Sequence, residues 1–170
     1  ESFARSTEIM RALKYVIDKA LMLNKPIAIN MSFGMNEGSH KGTSIFETYI
    51  SEISFKWKTI IIIPTGNEGS AGHHYHGKAQ TNQELDISFY TAEGINSFFI
   101  TLWKNSVDMF SVEIIFPNGY SSGVIGLESQ TKTVRQSNIE LNVIYGQPNH
   151  YTVDQEIFCH FEASSGTITP

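Results

Sequence analysis

Cysteine is nearly absent from this sequence, since Cys159 is the only one among 170 residues. A single cysteine excludes an internal disulfide and a zinc site built from several cysteines. Cys159 lies in the alternating run Ile-Phe-Cys-His-Phe over residues 157–161. This pattern indicates a thiol buried in a strand, because free cysteine mostly behaves as a small hydrophobe. A catalytic thiol is the less favoured alternative.

Basic residues are also few, with 12 Lys and Arg against 17 Asp and Glu, and they are scattered along the chain. Nucleic acids and anionic membranes are bound through a basic face, so neither is expected as a partner. No apolar run is long enough to cross a bilayer, and the first residues, Glu-Ser-Phe-Ala-Arg, do not have the pattern of a signal peptide. The chain lacks an initial methionine, and we expect it to be an internal part of a longer protein.

Helical and strand periodicities alternate over residues 1–79. Apolar residues recur every three or four positions over residues 9–21, which predicts a helix. Ser6 or Thr7 is expected to cap its start, and Asn24 to end it. The segment 27–33 then has the composition of a short buried strand.

A second helix and strand follow. Ser44 and Glu47 have the spacing of a capping box, in which each side chain accepts a hydrogen bond from the backbone N–H of the other residue. The helix that they open is predicted to present Ile45, Tyr49, Ile50 and Ile53 to the core. Residues 59–63 are almost entirely apolar, which predicts a parallel strand covered on both faces. The order helix, strand, helix, strand is typical of a parallel α/β sheet.

Residues 80–170 have a different pattern, with short alternating segments and turn residues between them. The alternating apolar positions are Leu85, Ile87 and Phe89; Phe98, Ile100 and Leu102; Phe110, Val112, Ile114 and Phe116; Ile139, Leu141, Val143 and Tyr145; and Ile157, Cys159 and Phe161. The pair Asn118-Gly119 favours a tight hairpin turn. The sequence therefore predicts an α/β fold in which part of a parallel-sheet domain (1–79) is followed by an all-β, jelly-roll-like part (80–170).

The candidate functional residues follow the second predicted strand, in Thr65-Gly66-Asn67-Glu68-Gly69. A buried parallel strand that ends there delivers the Asn67 amide to the carboxyl edge of a sheet, where α/β proteins place their ligands. The amide can donate a hydrogen bond to negative charge that develops on a substrate oxygen. The alternative is a loop asparagine that accommodates a strained turn.

Two segments together resemble the subtilase family of serine proteases (subtilisin-like, peptidase S8). They are Ser32-Phe33-Gly34 after the first strand and Thr65-Gly66-Asn67 after the second, in the family's order and separation and with a helix between them. The resemblance covers about the first half of the chain. It implies that Asn67 is the oxyanion-hole residue and that Ser32-Phe33-Gly34 pairs with a polypeptide substrate as an added strand. Thr65 and Gly66 would bind substrate too, with Gly66 walling the pocket beside the scissile bond.

The finer resemblance is to clostridial subtilases of the Csp germination-protease type. It rests on Asn-Met-Ser-Phe-Gly-Met-Asn-Glu-Gly-Ser-His-Lys-Gly-Thr-Ser over residues 30–44. In those proteins a jelly roll is inserted between the oxyanion asparagine and the catalytic serine. The resemblance implies that residues 80–170 are an incomplete part of that insertion, and it suggests a bacterial cytoplasm or spore as the location.

The motifs of the catalytic triad are missing from this chain. Gly42-Thr43-Ser44 resembles a nucleophile motif, but no proline follows it and it precedes Asn67, so Ser44 is interpreted as a helix cap. We expect the parent protein to be a serine endopeptidase and this chain alone to be inactive. The alternative is a pseudoprotease that has lost its triad and acts by binding.

Other features leave further alternatives open. The run His73-His74-Tyr75-His76 is interpreted as a polar loop, because no cysteine or acidic partner has metal-ligand spacing to it. Aromatic residues of the β half could form a stripe that binds glycans or peptides; they are Tyr90, Phe99 and Trp103. No cofactor is expected; the family resemblance allows calcium, but no calcium site is identified. Association through unpaired sheet edges is a further expectation.

Overall fold

The computed structural model describes residues 5–32, 34, 36, 38–56, 58–148, 150 and 152–168. The chain divides into two compact units, residues 1–78 and 79–170. The first unit contains helix α1 (Ser6–Met22), strand β1 (Ile27–Asn30), helix α2 (Ile45–Ser54) and strand β2 (Thr59–Ile62). The two strands pair in parallel, with Ile27 opposite Thr59 and Asn30 opposite Ile62. Their carboxyl ends therefore lie at the same edge of the sheet.

Helix α1 begins one residue earlier than its sequence suggests. Arg5 is the cap residue, and its backbone N–H donates to the Glu8 carboxylate at 2.9 Å. The prediction of a cap at Ser6 or Thr7 is therefore wrong, because Ser6 is already helical and Glu8 satisfies the N–H at the cap. At the other end, Asn24 has a left-handed backbone (φ +52°), which asparagine tolerates. The predicted helix end is confirmed.

Helix α2 opens on the predicted capping box. The Ser44 N–H donates to the Glu47 carboxylate at 3.0 Å, and the Glu47 N–H donates to the Ser44 hydroxyl at 3.2 Å. The interpretation of Ser44 as a helix cap is therefore confirmed. Ile45, which was predicted to face the core, is exposed, and Phe46 packs there in its place.

The Ser44 cap can be tested by replacing Ser44 with alanine in the full-length protein. We expect a cost of about 1 kcal/mol for the first turn of α2, because the Glu47 N–H loses its acceptor. Amide hydrogen exchange at Glu47 and Thr48 should become roughly fivefold faster. Ser51→Ala, at an exposed serine inside the same helix, is the matched control and should leave that exchange unchanged. Equal exchange in Ser44→Ala and the wild type would contradict the cap.

One face of the parallel pair holds the core of the first unit. Its buried centre consists of Leu13, Ile17, Met31 and Ile53. The two helices are also joined by a hydrogen bond, since the Tyr49 hydroxyl donates to the Met10 carbonyl at 2.9 Å. No helix of the described residues has the length and apolar character that a bilayer crossing requires.

The opposite face of the parallel pair is open among the described residues. Ile60 is 61% exposed and Ile62 is 53% exposed, whereas Ile61 between them packs against the core. The prediction that this strand is covered on both faces is therefore wrong within this chain. The physical reason is that α1, α2 and their core residues all lie against the face that carries Ile61.

The second unit is built around a four-stranded antiparallel sheet. Its strands are β3 (Ser97–Asn105), β4 (Thr131–Gln136), β5 (Ile139–Tyr145) and β6 (Asp154–Ala163), in the spatial order β3-β6-β5-β4. A short 3-10 turn (Leu127–Ser129) precedes β4. The prediction of an α/β fold with a parallel and an antiparallel sheet is confirmed.

The inner face of the antiparallel sheet carries the predicted alternating positions. Leu141, Val143 and Ile157 are fully buried there, and the rings of Phe98 and Phe161 stack with centroids 4.4 Å apart. Cys159 belongs to the same core, and burial raises the pKa of its thiol to about 11. The predicted buried thiol is confirmed, and a thiol that stays protonated at neutral pH is a poor nucleophile.

Two predicted strands of the second unit are not formed. Residues 83–90 are exposed and pair with no described strand, although the Phe89 ring lies 6.0 Å from that of Phe98. Residues 110–116 make only two isolated bridges, which flank the predicted turn at Asn118-Gly119. Residues 83–90 alternate in sequence but have no described strand as a partner for their backbone groups. Residues 110–116 do have backbone partners in residues 120–125, but the two bridges are isolated and do not continue into a regular ladder.

Candidate functional site

The candidate site lies at the edge where both parallel strands end. The ladder continues one step beyond β1, because the Met31 N–H donates to the Ile62 carbonyl at 2.9 Å. Beside it, the Asn30 amide donates to the Ser32 hydroxyl at 2.6 Å. The segments that leave β1 and β2 therefore start as neighbours, and the sequence motifs lie on both.

All described residues of the predicted site are exposed. They are Ser32, Gly34, Thr65, Gly66 and Asn67. Phe33, which was predicted to bind substrate, lies outside the described residues. No described residue forms a hydrogen bond with the Asn67 amide, so its N–H groups are available to a ligand.

Gly66 is required by its backbone and not by lack of space. Its φ is +93°, a conformation that residues with a side chain rarely adopt, and a Cβ there would meet no atom within 4 Å. The space beside the Gly66 backbone is therefore open. A substrate backbone could approach this point without a steric barrier.

The loops after the two strands contact each other at two points. The Asn36 amide donates to the Glu68 carboxylate at 3.4 Å, across 32 residues of sequence. Further along both loops, the rings of His40 and His74 lie 5.5 Å apart. The structure thus brings together the neighbourhoods of the two motifs that the sequence identified separately.

Glu68 is the charged group at this contact, and no sequence motif indicates a role for its side chain. Its carboxylate lies 3.1 Å from Nδ1 of His73, and the hydrogen bonds from His73 and then Asn36 lower its pKa. From sequence, an acidic partner of the histidine run is considered only as a metal ligand, whereas Glu68 is a hydrogen-bond partner of His73. A separation of five residues is neither helical nor strand spacing, so no sequence periodicity indicates this pair.

Among the described residues, this edge of the sheet is marked by no metal-binding cluster. Within the described ranges, no group of three or more His, Cys, Asp and Glu side chains is arranged to hold a metal ion. An open depression of about 420 Å³ lies at the other end of the strands, between Pro26–Ala28 and Lys58–Ile60. It is not part of the candidate site, because both strands begin there.

The aromatic stripe proposed for the β half is formed only in part. Phe99 and Trp103 lie on the outer face of β3, and the Phe158 ring stacks on Phe99 at 5.6 Å. Tyr90 lies outside the strands and is 97% exposed. The outer face therefore has aromatic residues, but not the three that the sequence combined.

No family model and no curated protein matches the chain. Among solved structures, it is similar to the CspB protease of Clostridium perfringens, with 32% sequence identity and a TM-score of 0.87. The match covers 98% of this chain and 36% of that protease, so the chain spans about a third of its length. The chain therefore has the α/β fold of part of a protease, and its structural relative is a Csp-type protease.

Proposed function

We propose that this chain is part of a subtilisin-like serine endopeptidase of the Csp type, in which it supplies the oxyanion hole and one wall of the substrate channel. The observation that carries the proposal is the meeting of the two motif-bearing loops at one edge of the parallel pair, fixed at the Asn36–Glu68 contact. The likeness to the CspB protease over nearly the whole chain supports it.

In the proposed reaction, Asn67 donates its side-chain N–H to the oxygen of the tetrahedral intermediate. Asn67 is exposed and its side-chain amide bonds to no described residue, which suits that role. The negative charge forms only when the nucleophile attacks, so a fixed donor lowers the barrier more than it strengthens substrate binding. The serine, histidine and aspartate of the triad would come from parts of the protein outside this chain.

Substrate would bind as an extended strand along the segment after β1. Ser32 and Gly34 are exposed there, and their backbone groups can pair with a peptide in the manner of an added strand. Thr65 and Gly66 would border the pocket for the residue before the scissile bond. A Cβ at Gly66 would meet no atom within 4 Å, so the space beside this residue has room for that side chain.

The open apolar face of the parallel pair supports the same proposal. Ile60 and Ile62 are exposed here, whereas parallel strands in α/β domains are normally covered on both faces. We propose that other segments of the full-length protein, of which this chain would be about a third by comparison with the CspB protease, cover them. The second unit, residues 79–170, would be the start of the jelly-roll insertion.

The proposal is tested by treating the full-length protein with a phosphonate reagent that reacts covalently with activated serines. We expect one equivalent of label on the native protein and none on protein that is heat-denatured before the reagent is added. We also expect hydrolysis of a peptide substrate, which labelling abolishes. Folded protein that takes up no label and cleaves no peptide would contradict an active peptidase. That result would favour the alternative of a pseudoprotease that binds its partner without cleaving it.

A further inference from the structure

The loop that carries Asn67 has few connections to the rest of its unit. Between described residues, the segment 64–78 forms one backbone hydrogen bond, from the Ala71 N–H to the Glu68 carbonyl at 2.9 Å. Every residue of this segment is exposed. Backbone pairing alone therefore does little to fix the position of Asn67.

Apart from the contact between the rings of His40 and His74, which lies further along the loop, the side-chain connections converge on Glu68. Oxygen Oε2 of its carboxylate meets Nδ1 of His73 at 3.1 Å inside the loop and the Asn36 amide at 3.4 Å on the neighbouring loop. The carbonyl of the same residue holds Ala71. Glu68 thus closes the loop on itself and joins it to the segment after β1, directly beside Asn67.

An oxyanion hole depends on such connections because its donor must be placed within a fraction of an ångström of the developing charge. Each hydrogen bond of an exposed carboxylate contributes little to global stability. Their combined effect on the position of Asn67 can still be large, because Glu68 is the adjacent residue. The other contact between the loops, at His40 and His74, lies seven residues further along the chain.

We propose that Glu68 is a positioning residue, whose bonds to His73 and Asn36 hold the loop so that the Asn67 amide faces the substrate carbonyl. This inference rests on the proposed function. Glu68 does not contact the reacting atoms. Its carboxylate holds the loop in place, and the loop in turn positions Asn67. His73, considered from sequence only as a metal ligand or as part of a polar loop, becomes the partner that closes the loop.

The test measures loop order and catalysis separately in the full-length protein. Glu68→Ala should speed amide hydrogen exchange at Ala71 about fivefold and lower kcat roughly tenfold with little change in KM, since the misplaced donor matters mainly in the transition state. Glu68→Gln retains an acceptor oxygen, so its Ala71 exchange rate and its kcat should both lie close to those of the wild type. Glu52→Ala, at an exposed glutamate of α2, is the matched control and should change neither.

A double-mutant cycle distinguishes positioning from independent effects. If His73 acts through Glu68, adding His73→Ala to Glu68→Ala should change exchange and kcat no further, whereas independent roles would add. Unchanged Ala71 exchange in Glu68→Ala, or additive effects in the double variant, would overturn the proposal even in an active enzyme. If the wild type has no activity, the proposed function fails, and the exchange measurements still decide whether Glu68 holds the loop.

Discussion

Replacing Asn67 by alanine in the full-length protein is expected to lower kcat by about 10²–10³-fold with KM nearly unchanged. The Asn67 amide is exposed and bonded to no described residue, so its main partner in the proposed reaction is the oxyanion itself. That charge is absent from the bound substrate and present in the transition state. The magnitude is the one established for loss of the oxyanion asparagine in subtilisin, and it is applied to this chain by resemblance.

Steady-state hydrolysis of a peptide substrate by the two proteins measures this effect. Ser70→Ala is the matched control, because it shortens an exposed polar side chain three residues further along the same loop. It should leave kcat within about twofold of the wild type if, as expected, it removes no interaction specific to the transition state. A variant of Asn67 that raises KM alone would show that this residue binds the ground state and would contradict its role in the oxyanion hole.

Local signals made much of the first unit predictable. The α2 cap follows from Ser44 and Glu47 at a fixed spacing, and the end of α1 follows from Asn24, which tolerates a left-handed backbone. The edge of the sheet that carries the candidate site was also predictable. A parallel pair places the residues after β1 and β2 side by side, and the sequence alone identifies those residues.

The features that the sequence did not predict depend on partners distant in the chain. Strand β2 is apolar at almost every position, but which face is covered depends on where the two helices pack, and Ile60 stays exposed. Residues 83–90 alternate as a strand does, but no described strand pairs with them. Glu68 meets Asn36 only because two loops leave the sheet together, and no spacing encodes that contact.

The second large effect is expected on stability, for Leu141→Ala in the centre of the antiparallel sheet. Leu141 is fully buried on β5, opposite Val134 on one side and Phe161 on the other. Truncating it removes buried methyl groups and leaves a cavity that the two neighbouring strands hold open. We expect the free energy of unfolding of this unit to fall by about 2–5 kcal/mol, a large share of the total of about 5–15 kcal/mol that is typical of a domain.

Hydrogen exchange of the most protected amides of β5 and β6 in the full-length protein measures this loss, because those amides exchange only when the unit opens. Ile144→Ala provides the control on the same strand, since Ile144 points to the outer face and is 41% exposed. Its truncation should cost less than about 1 kcal/mol, because its side chain already contacts water in the folded protein. Equal losses for the two variants would mean that both faces of the sheet are packed alike, and would contradict a core confined to the face of Leu141.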